Sequence, residues 1–209
     1  MAVDTQTAVL DRITKAGRGK VFIAKDFLDL GSRDAVDQAL SRLAKSGEVD
    51  RLGRGLYHFP QVNKRLGIAV VPEADEIADA LARQTGSRVV PSGAFAANQL
   101  GLSTQVPSKP VYLTDGRSRQ VRVGNSVFTM KHVAPKELPA GSRLSATVFQ
   151  ALKHLGKDAI DDQVLSRIRQ LVPTKHRKEL QRDAQYTTAW IGQFVRMATQ
   201  DDTRSVTHG

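Results

Sequence analysis

The 209-residue chain contains no cysteine, which excludes disulfide bridges and thiolate metal sites and fits a reducing compartment. It also lacks a long apolar run. The longest uncharged stretch, residues 89–108, is broken by Pro91, Gly93, Asn98, Gln99 and Pro107, so it does not read as a membrane span. No apolar core of a secretory signal stands near the N-terminus. These absences set the expectation of a cytoplasmic protein with no membrane partner. His58, His132, His154, His176 and His208 include no pair at three- or four-residue spacing, so neither a metal nor a cofactor is expected. Internal repeats and low-complexity tracts are missing as well.

Acidic residues are the scarce charge. Lys and Arg number 31 against 21 Asp and Glu, a formal net charge of +10, which makes nucleic acid the first partner to consider. The excess is spread along the chain. Residues 1–62 carry 10 basic and 8 acidic residues, so a DNA-reading segment there requires its cations to share one face.

Hydrophobic spacing marks the elements. Val9, Ile13 and Ala16 predict the inner side of a first helix that stops at Gly17-Arg18-Gly19. An extended piece over 20–23 leads to a second small helix over 24–30, ended by Gly31. Ser32 is placed to cap a third helix, in which Val36, Leu40 and Leu43 recur every three or four residues until Gly47. Two strands, 49–52 and 56–59, flank the hairpin turn Gly53-Arg54-Gly55.

Residues 60–72 read as a connection. A helix over 73–83 follows, with Asp75, Glu76 and Asp79 near its positive end. Next come a strand over 88–90, an alanine-rich helix over 92–100, and a β-meander of strands 111–114, 120–123 and 127–131. Asp115-Gly116 and Gly124-Asn125 are the turn residues of that meander. Three helices close the chain. The first carries Leu144, Val148, Leu152 and Leu155 on one face; the second carries Ile160, Val164, Ile168 and Leu171; Pro173 precedes a charged third that leads into Trp190, Ile191, Phe194 and Val195. The expected fold class is α+β: an N-terminal winged helix-turn-helix, then a mixed α/β domain with a small antiparallel meander and C-terminal helices. The expected domains are residues 1–62 for DNA binding and 63–200 as an α+β effector, with a polar, frayed tail over 201–209.

With Val36, Leu40 and Leu43 facing inward, the third helix turns Asp34, Gln38, Ser41, Arg42 and Lys45 outward, with Arg33 at its start. Gln pairs with adenine, Arg with guanine, and Ser with base or phosphate. Arg51 and Arg54 sit on the wing, where cations meet the DNA backbone or minor groove. Asp34 and Asp37 oppose that reading and are accounted for as helix-start electrostatics. The bland alternative is an amphipathic helix with a solvated polar face.

The stretch AVDQALSRLAKSGEVDRLGRGLYHFP (35–60), followed by PSGAFAANQLGLSTQVPSKPVYLTDG (91–116), resembles the AbiEi-like antitoxins and their related regulators. The likeness spans roughly residues 5 to 135. It implies an N-terminal winged helix that binds promoter DNA of its own operon and represses it. It also implies a C-terminal domain that counters a nucleotidyltransferase-like toxin, in a bacterial toxin–antitoxin and phage-defence system. By position, the resemblance assigns double-stranded DNA contact to Arg33, Gln38, Ser41, Arg42, Lys45, Arg51 and Arg54. A winged-helix regulator whose second domain senses a ligand or oligomerises is the alternative, and an enzyme acting on its toxin is a third reading.

No catalytic constellation favours the enzyme. Gly17-Arg18-Gly19-Lys20 lacks the spacer and the Ser/Thr of a phosphate loop, and reads as a helix-ending turn within reach of DNA phosphate. Asp115 reads as turn chemistry, and Asp158, Asp161 and Asp162 as a helix start. His58 reads as a packing or surface residue. Lys175-His176-Arg177-Lys178 reads as a solvated helical face, and Trp190, Ile191, Phe194 and Val195 read as core rather than a docking stripe.

Overall fold

The computed structural model describes residues 4–63, 65, 67–123 and 126–200. In chain order the elements are α1 (Thr5–Ala16), β1 (Val21–Phe22), a 3-10 turn (Ala24–Phe27), α2 (Arg33–Lys45), β2 (Asp50–Gly53) and β3 (Leu56–His58). They continue with β4 (Gln61–Asn63), β5 (Ile68–Val70), α3 (Ala74–Thr85), β6 (Val89–Pro91), α4 (Gly93–Gln99), β7 (Val111–Thr114), β8 (Arg119–Val123) and β9 (Ser126–His132). The last helices are α5 (Arg143–Leu155), α6 (Asp162–Leu171), α7 (Thr174–Asp183) and α8 (Ala189–Thr199), with single 3-10 turns between some of them. Contacts divide this mixed α+β chain into two compact units, Met1–Val89 with Ser118–Thr129, and Val90–Arg117 with Met130–Gly209.

The first unit is built on the periodicity of α2. Val36, Ala39, Leu40 and Leu43 fall on one face and are buried against Val9 and Ile13 of α1, with Phe22 and Phe27. Each fully buried aliphatic side chain of this kind contributes about 1.5–3 kcal/mol relative to exposure. Ser32 Oγ accepts from the Ala35 amide at 3.2 Å and starts the helix. Gly47, at φ +79°, ends it while the Glu48 amide returns to the Leu43 carbonyl at 3.0 Å. β3 is the middle strand of an antiparallel sheet in the order β1-β3-β2, with His58 opposite both Val21 and Asp50. α3 packs its Ile77, Ala78, Ala80 and Leu81 inward and lies against β1. There Arg83 pairs with Asp26 at 3.0 Å and donates to the Val21 carbonyl, and Lys20 pairs with Glu76.

The second unit centres on α5, which is buried over Ser145–Leu152. Its Val148, Phe149 and Leu152 pack with Ala96 and Ala97 of α4, Ile168 of α6, Leu180 of α7, and Ile191 and Val195 of α8. The alanines of α4 let the two backbones approach closely. At its first residue, a Cβ on Gly93 would lie 2.7 Å from the His154 Cβ and 3.1 Å from the Gln150 carbonyl. Trp190 and Phe194, half-buried, pack against this core and meet edge to face with centroids 6.2 Å apart.

Several expectations are corrected. Ala16 is exposed, because α1 ends there and only Val9 and Ile13 reach the core. The small second helix is a single 3-10 turn. Asp26 Oδ2 takes the Ile23 amide and closes the turn at Phe27. Residues 60–72 are more than a connection, since β4 and β5 pair antiparallel there as a short hairpin. Three residues per strand are too few for alternation to show in the sequence.

The meander does not form. β9, last of its three strands in sequence, is the neighbour of β8 in the first unit and of β7 in the second. Asp115-Gly116 turns the chain away from β7 instead of reversing it. The Thr114 hydroxyl accepts from the Gly116 amide at 3.0 Å, and His132 Nδ1 meets the Gly116 carbonyl at 2.8 Å. Turn residues mark where a chain bends, not which strand it meets next. Gly124-Asn125 lies outside the described residues, as does the 201–209 tail. The expected last helix is two, α7 and α8, interrupted where buried Asp183 turns back to Ser142 and Ser145.

Candidate functional site

The seven expected contact residues all lie in the first unit. Arg33, Gln38, Arg42 and Lys45 are exposed on α2, and Ser41 is half-buried beside them. Arg51 and Arg54 are exposed on β2 and on the turn that follows it. Asp34 and Asp37 share the α2 surface. Arg33 Nε donates to Asp37 Oδ2 at 2.7 Å, one helical turn on, so its charge is compensated in the free protein. An exposed pair of this kind is worth less than ~1 kcal/mol, which an incoming anion can displace.

Of the seven, the fold gathers Arg33 and Arg54 into one open cleft of about 470 Å³, and completes it with residues that sequence reasoning missed. β8 lies next to β2 and adds Arg119, Gln120 and Arg122 to its wall; α3 adds Gln84. No acidic residue is among the described residues that line it. Gln84 organises the cleft. Its Nε2 donates to the Arg54 carbonyl at 3.3 Å, and its Oε1 accepts from Arg119 Nη1 at 3.2 Å. Arg119 Nη2 also donates to the Leu81 carbonyl at 2.9 Å. Burial lowers the Arg119 pKa, yet an arginine stays cationic at neutral pH. A signal existed in the sequence: residues 116–136 contain five Lys and Arg and no acid.

The other motifs resolve structurally. Arg18 stacks its guanidinium 4.5 Å from the Phe59 ring centroid and donates to the Pro60 carbonyl at 2.7 Å. Lys20, at the end of this turn, pairs with Glu76. His58 is 2% exposed, with Nδ1 3.5 Å from Asp50, a packing position. Asp161 caps α6 by accepting from the Val164 amide at 2.9 Å. On α7, Lys175 and Lys178 are exposed, whereas His176 meets Glu179 and Arg177 donates to the Arg169 carbonyl. Among the described residues, no three His, Cys, Asp or Glu gather as metal ligands would, and no helix is long and apolar enough to cross a membrane.

The fold and this basic cleft define a two-unit α+β protein with a cation-lined first unit. Residues 8–180 match DUF6088, a family of unknown function, and the chain belongs to that family. No curated protein matches it.

Proposed function

We propose that this protein binds promoter DNA through its first unit and acts as the antitoxin and autorepressor of a toxin–antitoxin operon. One observation carries the DNA half: the exposed Gln38, Arg42 and Lys45 of α2 stand in the same compact unit as exposed Arg51 and Arg54 of the β2–β3 hairpin. The element order α1, β1, 3-10 turn, α2, β2, β3 supports it, with α2 as the helix entering the major groove and the hairpin as the wing. In that reading Gln38 and Arg42 address base edges, while Arg51 and Arg54 address the backbone. The antitoxin half rests on the resemblance of residues 35–60 and 91–116 to AbiEi-like antitoxins. It assigns the second unit to countering a nucleotidyltransferase-like toxin.

The test is a salt-titrated mobility shift with the DNA upstream of the gene, against scrambled DNA of equal length. Specific binding at physiological salt is expected, with affinity falling steeply as salt rises. Weak, sequence-blind binding would remove the DNA half. Co-expression with a toxin-like reading frame found beside the gene tests the other half, with restored growth expected. Unrelieved toxicity would remove the antitoxin role and leave a regulator.

A further inference from the structure

We infer that the cleft lined by Arg33, Arg54, Arg119 and Arg122 is a phosphate seat to which β8 supplies half of the cations. The assignment of that phosphate to a DNA backbone rests on the winged-helix reading above.

Guanidinium groups suit phosphate because their planar donors match its oxygens two at a time. Four arginines line this cleft, with no acid among its described lining residues. Like charges around one cleft repel, and a bound polyanion relieves that repulsion. The cleft is also partly pre-organised. Gln84 joins the Arg54 backbone to the Arg119 side chain, and Arg119 is anchored a second time on the Leu81 carbonyl. That arrangement leaves the exposed side chains of Arg54 and Arg122 at the cleft for an incoming anion. Arg33 joins by exchanging its Asp37 carboxylate for phosphate. The cleft adjoins the turn that the DNA reading makes a wing, so a backbone strand meeting Arg54 would meet Arg122 as well. The N-terminal 62 residues carry an excess of only two basic residues, and β8 raises the charge of this face without adding an acid.

The experiment measures promoter-DNA affinity of the full chain against salt, for wild type, Arg122→Gln and Arg54→Gln. Lys157→Gln, which removes an exposed charge from the second unit, serves as control. Each lost phosphate contact should flatten the log K against log salt slope by roughly 0.9. Arg122→Gln is expected to flatten it by about that amount, with the same proportional loss on promoter and scrambled DNA, and Lys157→Gln to leave it unchanged. A second arm titrates tripolyphosphate alone into wild type and Arg122→Gln. Binding that is lost in the variant while wild type ignores DNA would keep the phosphate seat, make its source a free phosphorylated molecule, and remove the DNA reading. Wild-type DNA binding with an unchanged slope in Arg122→Gln, and no Arg122-dependent tripolyphosphate binding, would overturn the seat and leave the DNA reading standing.

Discussion

Gln84 accepts a hydrogen bond from Arg119 at 3.2 Å, joining helix α3 to a strand that follows it by more than thirty residues. The same carboxamide holds the Arg54 carbonyl, and Gly55 beside it takes φ +69°, where a Cβ would crowd Gln84 Nε2 at 3.0 Å. Gln84→Leu should therefore free the turn and leave Arg119 held by the Leu81 carbonyl alone. We expect a stability loss of about 0.5–1.5 kcal/mol per hydrogen bond and faster amide exchange over residues 53–56. Unaltered exchange there would mean that the turn is held by its own backbone.

Arg42→Ala and Arg54→Ala should each weaken promoter binding without changing the thermal midpoint. Both side chains are exposed and neither packs in the core around α2. Surface changes of this sort alter stability by within about ±0.5 kcal/mol. Mobility shifts and melting curves on the same preparations check both halves; unchanged affinity in both variants would reject this binding face.

His58 should make the first unit sensitive to mild acid. Burial lowers the imidazole pKa below its ordinary 6.5, opposed by the Asp50 carboxylate. Below pH 6.5 the unfolded chain then binds more protons at this residue than the folded one. Its contribution is thus fully present above pH 6.5 and is lost as pH falls through the folded value. Melting at pH 7.5 and 5.5 should show the lower midpoint in acid, and His58→Phe should reduce the difference. An equal pH dependence in the variant would place the acid sensitivity elsewhere.

Asp183 ties α7 to the start of α5. Burial raises its pKa, but the Ser142 amide, the Ser145 hydroxyl and Arg182 outweigh that and hold it below the ordinary carboxylate value. The bonds are 3.0 Å from the Ser142 amide and 2.7 Å from the Ser145 hydroxyl. Losing such charge-assisted bonds by Asp183→Ala should cost about 1.5–3 kcal/mol in denaturant unfolding. Gly141→Ala should be at least as damaging, because its φ is +96° and the new Cβ would collide with the Asp183 carboxylate. A melt matching wild type in either variant would show that this junction carries little of the stability.

Much of the fold was legible where one chemical rule acts within a few residues. The spacing of Val36, Leu40 and Leu43, the Ser32 cap and the Gly47 stop together specify α2, and all three are found. Exposure of Gln38, Arg42 and Lys45 follows from the same periodicity. The failures lie where length or partner choice mattered. β4 and β5 are too short to show a period, the residues after Ala24 make one 3-10 turn, and the chain between α7 and α8 breaks because Asp183 finds partners forty residues earlier.

The sequence by itself determined the helices, their inward faces, the capping residues and an excess of cations, because periodicity and local hydrogen bonding act over a few residues. The tertiary structure alone decided that β9 rather than β8 lies beside β7, and that Arg119 and Arg122 of β8 join Arg33 and Arg54 around one cleft. Strand partners are selected by packing over the whole chain, and a turn residue carries no record of that choice.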